Sequence, residues 1–336
     1  MLDIHLLKNF LNHPRQIVIT THHKPDGDAM GSSLGLYNYL IQKGHHVKVI
    51  TPSDYPDFLH WLPNNKDVLI YTEQPEQAVQ LCSAADLIFC LDCNSLSRIN
   101  ELGEIVRVSA AKKIMIDHHL EPADFDDYRY WMTNVSSTAE LVYRFIGTVM
   151  GEPELINKEI ATCLYTGIMT DTGSFRFPTT TAEVHIIIAD LIEKGAENWR
   201  VHQLVYDNFS ENRVRFLGNC LLNKLEVLKE FNTSIISITK EELSQFQIET
   251  GDTEGIVNYA LTIHEIRLAA LIIERPDAVK LSVRSIGNFP ANEICKKYFS
   301  GGGHRNASGG ISHEPLETVI SNFKSILPEY KHLLTQ

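Results

Sequence analysis

Two rhythms alternate along the first part of the chain. Short, continuous apolar runs at 17–20, 47–50, 86–91 and 113–116 have the length and β-branched content of buried strands. Between them, apolar residues recur at helical spacing over 34–43, 76–83 and 98–109. Strands that alternate with helices in this way predict a parallel sheet with helices on both faces. A further strand is expected at 128–133, then a helix opening at Ser136-Ser137-Thr138 and running to about residue 150. More helices follow at 158–170, 181–194 and 198–207, and a long one at 211–229. The pattern restarts after Phe231-Asn232-Thr233, with strands at 234–239, 267–274 and 279–285. A helix at 291–298, a glycine-rich run at 301–310 and a helix at 316–327 complete it.

At 336 residues the chain is long for a single core, so two domains are expected. The pattern divides it into an N-terminal α/β domain over 1–195, a helical linker over 196–232 and a smaller C-terminal α/β domain over 233–336. The formal net charge of −12 argues against long-range capture of duplex nucleic acid, which normally uses a basic face. It leaves room for a small anion held by a few local groups. No run approaches eighteen apolar residues, and Met1-Leu2-Asp3-Ile4-His5 lacks the regions of a signal peptide, so a cytoplasmic protein without a membrane span is expected. Of 6 cysteines, Cys90 and Cys93 alone stand at metal or redox spacing, and a single such pair reads as buried thiols.

The stretch from His22 to Ser33 carries the densest chemistry. His22, Asp26 and Asp28 sit on a turn from a strand into a helix, shaped by Pro25 and Gly27. Asp28 and Ser32 are also ordinary capping types, so the stretch alone reads equally as a polar helix start. Partners then appear where a parallel sheet would gather them. Asp92 ends one apolar strand, Asp117-His118-His119 ends another, and Asp171 closes an apolar helix before Thr172-Gly173. Ligands of such sheets lie beyond the carboxyl ends of the strands. The set offers roughly five to seven hard donors, enough for two cations with open positions. Oxygen donors with imidazole suit Mn²⁺ or Mg²⁺.

These motifs in this order resemble the DHH phosphoesterase superfamily, and Asp117-His118-His119 its namesake motif. The run Gly301-Gly302-Gly303-His304-Arg305-Asn306-Ala307-Ser308-Gly309-Gly310 resembles the signature of the family's associated C-terminal domain, with Ser300 where a further Gly is often found and Ala307-Ser308 where two Ala are usual. Within the superfamily the chain is most similar to the bacterial nanoRNase and 3′-phosphoadenosine-5′-phosphate (pAp) phosphatase group. The resemblance implies a site in a cleft between the two domains. It puts His22, Asp26 and Asp92 on one Mn²⁺ and Asp28, Asp92, His118 and Asp171 on a second, with Asp92 bridging; spacing favours His22 over His23. It further implies His119 directed at the substrate phosphate and Asp117 as an acceptor behind the imidazoles. Asp92, Asp117, His118 and His119 would form the catalytic group, and hydroxide activated by the two metals would attack phosphorus in line.

The implied substrates are short RNA or DNA oligonucleotides and pAp, with cyclic di-AMP or a linear dinucleotide as the alternative. Gly301, Gly302 and Gly303 would let backbone N–H groups approach an anion. Arg284 and His304 would bind a phosphate or stack on a base, against the plainer reading of a surface Arg beside a glycine-rich turn. Arg98 would reach phosphate or simply sit solvated on a helix, and Ser136-Ser137-Thr138 would either present N–H groups to an anion or cap a helix. Family II pyrophosphatases are disfavoured by the C-terminal glycine motif, and long-chain exonucleases by the short acidic chain. A binding module with a dead site is disfavoured because every metal position is intact. A homodimer is an open expectation.

Overall fold

The computed structural model describes residues 4–335. The chain divides into two compact units, Met1–Asn208 and Phe209–Gln336. In the first, α1 (Ile4–Phe10) precedes β1 (Gln16–Thr20), α2 (Gly27–Gln42), β2 (His46–Thr51), β3 (Leu69–Ile70), α3 (Pro75–Ala84), β4 (Leu87–Leu91), α4 (Glu101–Val108), β5 (Lys112–Asp117) and β6 (Tyr128–Trp131). Four helices complete it: α5 (Thr138–Arg144), α6 (Lys158–Asp171), α7 (Ala182–Glu193) and α8 (Asn198–Tyr206). The six strands are all parallel, in the order β3-β2-β1-β4-β5-β6. Alternate residues feed opposite faces. Ile17, Ile19, Phe89 and Ile116 enter the core beneath α2, α5 and α6. Val18, Ile50, Ile88 and Cys90 enter the core that includes Ala78, Cys82, Leu102 and Val106 of α3 and α4. This is a doubly wound sheet, and its order reverses between β1 and β4, where a crevice opens at the carboxyl ends.

The second unit contains α9 (Glu211–Asn219), β7 (Leu225–Leu228), β8 (Thr233–Ile238), α10 (Lys240–Gln245), α11 (Ile256–Leu261), β9 (Leu268–Glu274), β10 (Val279–Ser285), α12 (Ala291–Tyr298), β11 (Gly302–His304), β12 (Ala307–Ser312) and α13 (Leu316–Leu334). Its mixed sheet runs β11-β12-β10-β9-β8-β7, parallel only between β8 and β9. One face packs on α12 and α13 through Ala270, Ile272, Leu281, Phe323 and Leu327. The other packs on α9, α10 and α11 through Phe216, Leu243, Ile256, Ala269 and Leu271.

The α/β class and the main strands match the expectation, and four details depart from it. The expected helix at 211–229 stops at Asn219; a π-helical turn at Cys220–Lys224 leads into β7, which pairs antiparallel with β8. Leu221, Leu225 and Leu228 have helical spacing, but the open edge of β8 offers their backbone a ladder instead. Residues 196–232 do not stand apart: Val201 and Val205 are buried in the first unit, and Phe216 and Cys220 in the second. The last helix runs through Pro328 to Leu334, because buried Leu327 and Leu334 hold it on both sides of the ring. The glycine run is a hairpin, β11 and β12. Among the described residues, no helix is long and apolar enough to cross a membrane.

Candidate metal centre

The turn after β1 builds the first half of the site. Asp26 caps α2, its Oδ1 accepting the N–H groups of Asp28 and Ala29, both at 3.0 Å. Gly27 follows because a side chain there would overlap Thr170, whose Oγ1 lies 2.4 Å from the place of its Cβ. Asp28 is buried, and its two oxygens accept the first N–H groups of α5, Thr138 at 2.7 Å and Ala139 at 2.8 Å. α2 meets α6 backbone to backbone. A Cβ on Gly31 would lie 2.6 Å from the Cys163 carbonyl oxygen and 2.7 Å from Gly167 N. A Cβ on Gly167 would lie 2.6 Å from Ala139 Cβ and 3.0 Å from Asp28 Oδ1. Bare helix faces therefore bring Asp28, near the start of α2, beside Asp171, the last residue of α6.

The strands supply the rest. Asp92 follows β4 with φ of 54°, a left-handed conformation that costs less for Asp than for most residues. Its N–H donates to the Ile116 carbonyl at 3.1 Å, so the backbone at this position is tied to the sheet. His22 Nε2 lies 3.4 Å from Asp92 Oδ2 and 3.8 Å from Asp26 Oδ1. Its Nδ1 faces the His23 carbonyl at 2.9 Å, a bond that leaves Nε2 as the acceptor nitrogen. His118 Nε2 lies 3.5 Å from Asp92 Oδ1, 3.5 Å from Asp171 Oδ2 and 3.8 Å from Asp28 Oδ2. His119 Nδ1 bonds Asp117 Oδ1 at 2.8 Å and stands 3.4 Å from Asp92 Oδ1. The other oxygen of Asp117 is buried with no hydrogen-bond partner.

The charges are mismatched without a cation. Burial, then the charges of Asp92, Asp171 and Asp26, push the Asp28 carboxyl well above the usual range. Burial also opposes the Asp92 charge, but His119, His22 and His118 together hold it well below that range. Burial works against an imidazolium at His22, yet Asp26 and Asp92 outweigh it and raise its pKa to about 10. Burial keeps His118 below its ordinary value. Asp171 faces the negative end of its own helix dipole, an arrangement that a bound cation would reverse.

The donor set fits divalent cations. Two ligands about 2.1 Å from one ion, at ordinary coordination angles, lie roughly 3.0–3.8 Å apart. The imidazole–carboxylate separations of 3.4–3.8 Å fall in that range and are mostly too long for good hydrogen bonds. Among the described residues, His22–Asp26–Asp92 and Asp28–Asp92–His118 are two donor groups that share Asp92, which also stands with Asp117 and His119 in another. Asp171 adjoins the second through His118.

Arg98 lies on a 3₁₀ turn, Leu96–Ile99, at the shoulder of the site. Its carbonyl accepts the His23 N–H at 2.8 Å, and its guanidinium approaches the Asp92 carbonyl at 3.4 Å. Cys90 and Cys93 are buried, and burial pushes both thiols up, Cys93 to about 12. The N–H groups of Thr138 and Ala139 do serve an anion, but that anion is the protein's own Asp28. The bond from α5 to Asp28 joins residues 110 apart and has no local signal, whereas Gly27, Gly31 and Gly35 recur every four residues, a legible sign of a bare helix face.

In the second unit Arg284 of β10 and His304 of β11 both stand opposite Ala307 of β12. Residues paired across strands share a face, so the guanidinium and imidazole flank a methyl floor with their Cα atoms roughly 10 Å apart. Arg284 Nη1 donates to the Val283 carbonyl at 3.1 Å. Gly301 and Gly303 are sterically required, since a Cβ on either would lie 2.0 Å from the Gly309 oxygen or 2.7 Å from the Ala307 oxygen. A Cβ on Gly302 would meet nothing within 4 Å, and the residue is exposed.

The DHH family, N-terminal domain, matches residues 16–168, and the DHHA1 domain matches 232–334. A bifunctional oligoribonuclease and PAP phosphatase NrnA from Thermus thermophilus is 31% identical over 293 residues, 87% of this chain and 83% of its own. The chain belongs to the DHH family. As a DHH-family member it is a metal-dependent phosphoesterase, a hydrolase. The NrnA of Bacillus subtilis is 26% identical over 320 residues, covering 94% of this chain and 96% of that one. The crystal structure of an exopolyphosphatase-related protein from Bacteroides fragilis superposes with a TM-score of 0.94 at 43% identity, covering 99% and 97% of the two chains.

Proposed function

We propose that this DHH phosphoesterase hydrolyses short oligonucleotides and pAp with two Mn²⁺ ions. The observation that carries the proposal is the pair of donor groups sharing Asp92 at the reversal point of the sheet. His22, Asp26 and Asp92 would hold one ion, and Asp28, Asp92, His118 and Asp171 the other. When bound, such a pair supplies an activated water for attack on phosphorus and neutralises charge on the phosphate oxygens. Asp117 fixes the ring of His119 so that its remaining nitrogen is available to a phosphate oxygen, a geometry that costs no reorganisation during reaction. Arg98 steadies the turn that carries His23 and is close enough to the site to attract an anion.

Arg284, Gly302 and His304 of the DHHA1 unit are proposed to grip the substrate. The guanidinium offers a bidentate fork to a phosphate, and the open position at Gly302 admits an anion to the backbone. Arg284→Ala is therefore expected to raise KM about tenfold or more with a smaller loss in kcat; steady-state kinetics on a dinucleotide checks it. Equal losses in kcat and kcat/KM would place its contact in the transition state instead.

A second anchor selects substrates with a phosphate away from the scissile one, which pAp has and AMP lacks. The acidic chain gives long polyanions little attraction, and phosphate contacts dominate their affinity. With Mn²⁺, kcat/KM is expected to fall at least about tenfold from a 3-mer to a 24-mer RNA. Phosphate release should be measurable from pAp and very low from AMP. The test sets pAp, AMP, a 3-mer, a 24-mer and cyclic di-AMP side by side. A flat length profile would overturn the proposed selectivity, and preference for cyclic di-AMP would favour the cyclic dinucleotide reading.

A further inference from the structure

Thr138 is the first residue of α5, and its side chain is completely buried. Its hydroxyl has no part in capping the helix. Ser137 does that, with Oγ accepting the Glu140 N–H at 3.1 Å. The turn before it is also satisfied, since Ser136 N and Oγ both donate to Glu140 Oε2 at 2.7 Å. Glu140 is held in turn by Arg144, whose Nε and Nη2 donate to Oε1 at 2.9 and 2.6 Å. This closed network presents Thr138 with its backbone N–H on Asp28 at 2.7 Å and its hydroxyl on Asp92 Oδ1 at 2.9 Å. One residue thus touches both carboxylates of the second donor group, from segments 110 and 46 residues away.

We propose that Thr138 is a positioning residue that fixes the plane of Asp92, so that one oxygen faces each cation; the inference rests on the two-metal reading above. A carboxylate shared by two ions must not rotate. Asp92 Oδ2 faces His22, while Oδ1 faces His118 and His119. None of these is closer than 3.4 Å, so the Thr138 hydroxyl is the strong directional contact on that group. As a neutral donor it orients the carboxylate without cancelling the charge that a cation needs. Partners behind metal ligands typically govern affinity or activity by about 10–100-fold.

The test is Thr138→Val, which keeps shape and backbone but lacks the hydroxyl proton, beside Thr138→Ser, which restores it, and Thr138→Ala in case valine disturbs folding. Mn²⁺ binding is measured by calorimetry on the full chain, with metal-free melting and dinucleotide kinetics in parallel. Thr138→Val and Thr138→Ala should weaken at least one Mn²⁺ site about 10–100-fold and lower kcat more than they raise KM. Thr138→Ser should stay within about threefold of the wild type, on the same scale. Unchanged Mn²⁺ affinity and kcat in Thr138→Val or Thr138→Ala, or failure of serine to rescue, would overturn the inference while leaving the metal reading intact. Failure of the wild type itself to bind Mn²⁺ would overturn both.

Discussion

Asp92→Asn is expected to lower turnover with Mn²⁺ by at least about 10³-fold, the scale of removing one electrostatic element of a preorganised site. The substitution is informative because it leaves the backbone alone. Position 92 is left-handed, and Asn accepts that conformation as readily as Asp. The amide also keeps an oxygen to accept from Thr138. What disappears is the negative charge common to both donor groups. An unchanged circular dichroism spectrum with collapsed kcat is the expected pair of results. Near-normal kcat would remove Asp92 from the shared position.

Gly31→Ala is expected to destabilise the first unit by about 2–3 kcal/mol, at the upper end for one inserted methyl, because the obstruction is backbone. The new carbon would stand 2.6 Å from the Cys163 oxygen and 2.7 Å from Gly167 N, and neither atom can rotate away. α2 and α6 must therefore separate, and with them Asp28 and Asp171. Thermal melting should show the loss of stability, and Mn²⁺ titration a weaker site. Gly218→Ala in α9 is the control, since nothing lies within 4 Å there and helix propensity favours alanine by roughly 0.5–1 kcal/mol. Equal melting temperatures for the two variants would refute the close helix contact.

The strands and the donors they carry were legible because short apolar runs and ionisable residues at strand ends are local signals. Asp92 and Asp117 could be placed at one edge of a sheet without knowing its order. The rest depended on partners remote in sequence. Residues 225–228 form a strand only because β8 offers an edge, and their leucine spacing taken alone reads as helix. The residues at 302–304 have no side chains that specify a strand, and pairing with β12 makes them one. The break at Asn100, with φ of 50°, divides an expected helix into a 3₁₀ turn and α4. Thr138 gave no local hint of its bond to Asp92, because serine and threonine at a helix start already have a sufficient reason to be there.

The glycine contact between α2 and α6 also bears on how the protein is made. Asp26 and Asp28 leave the ribosome early, Thr138 much later, and Asp171 only with the last turn of α6. At about 5–20 residues per second, roughly 7–30 seconds separate the first donors from the last. Until α5 and α6 are made, Asp28 has neither its N–H clamp from Thr138 and Ala139 nor its neighbour Asp171. Completion of the second donor group, Asp28 with Asp92, His118 and Asp171, thereby waits for the last helices of the first unit, while His22, Asp26 and Asp92 are all made by residue 92.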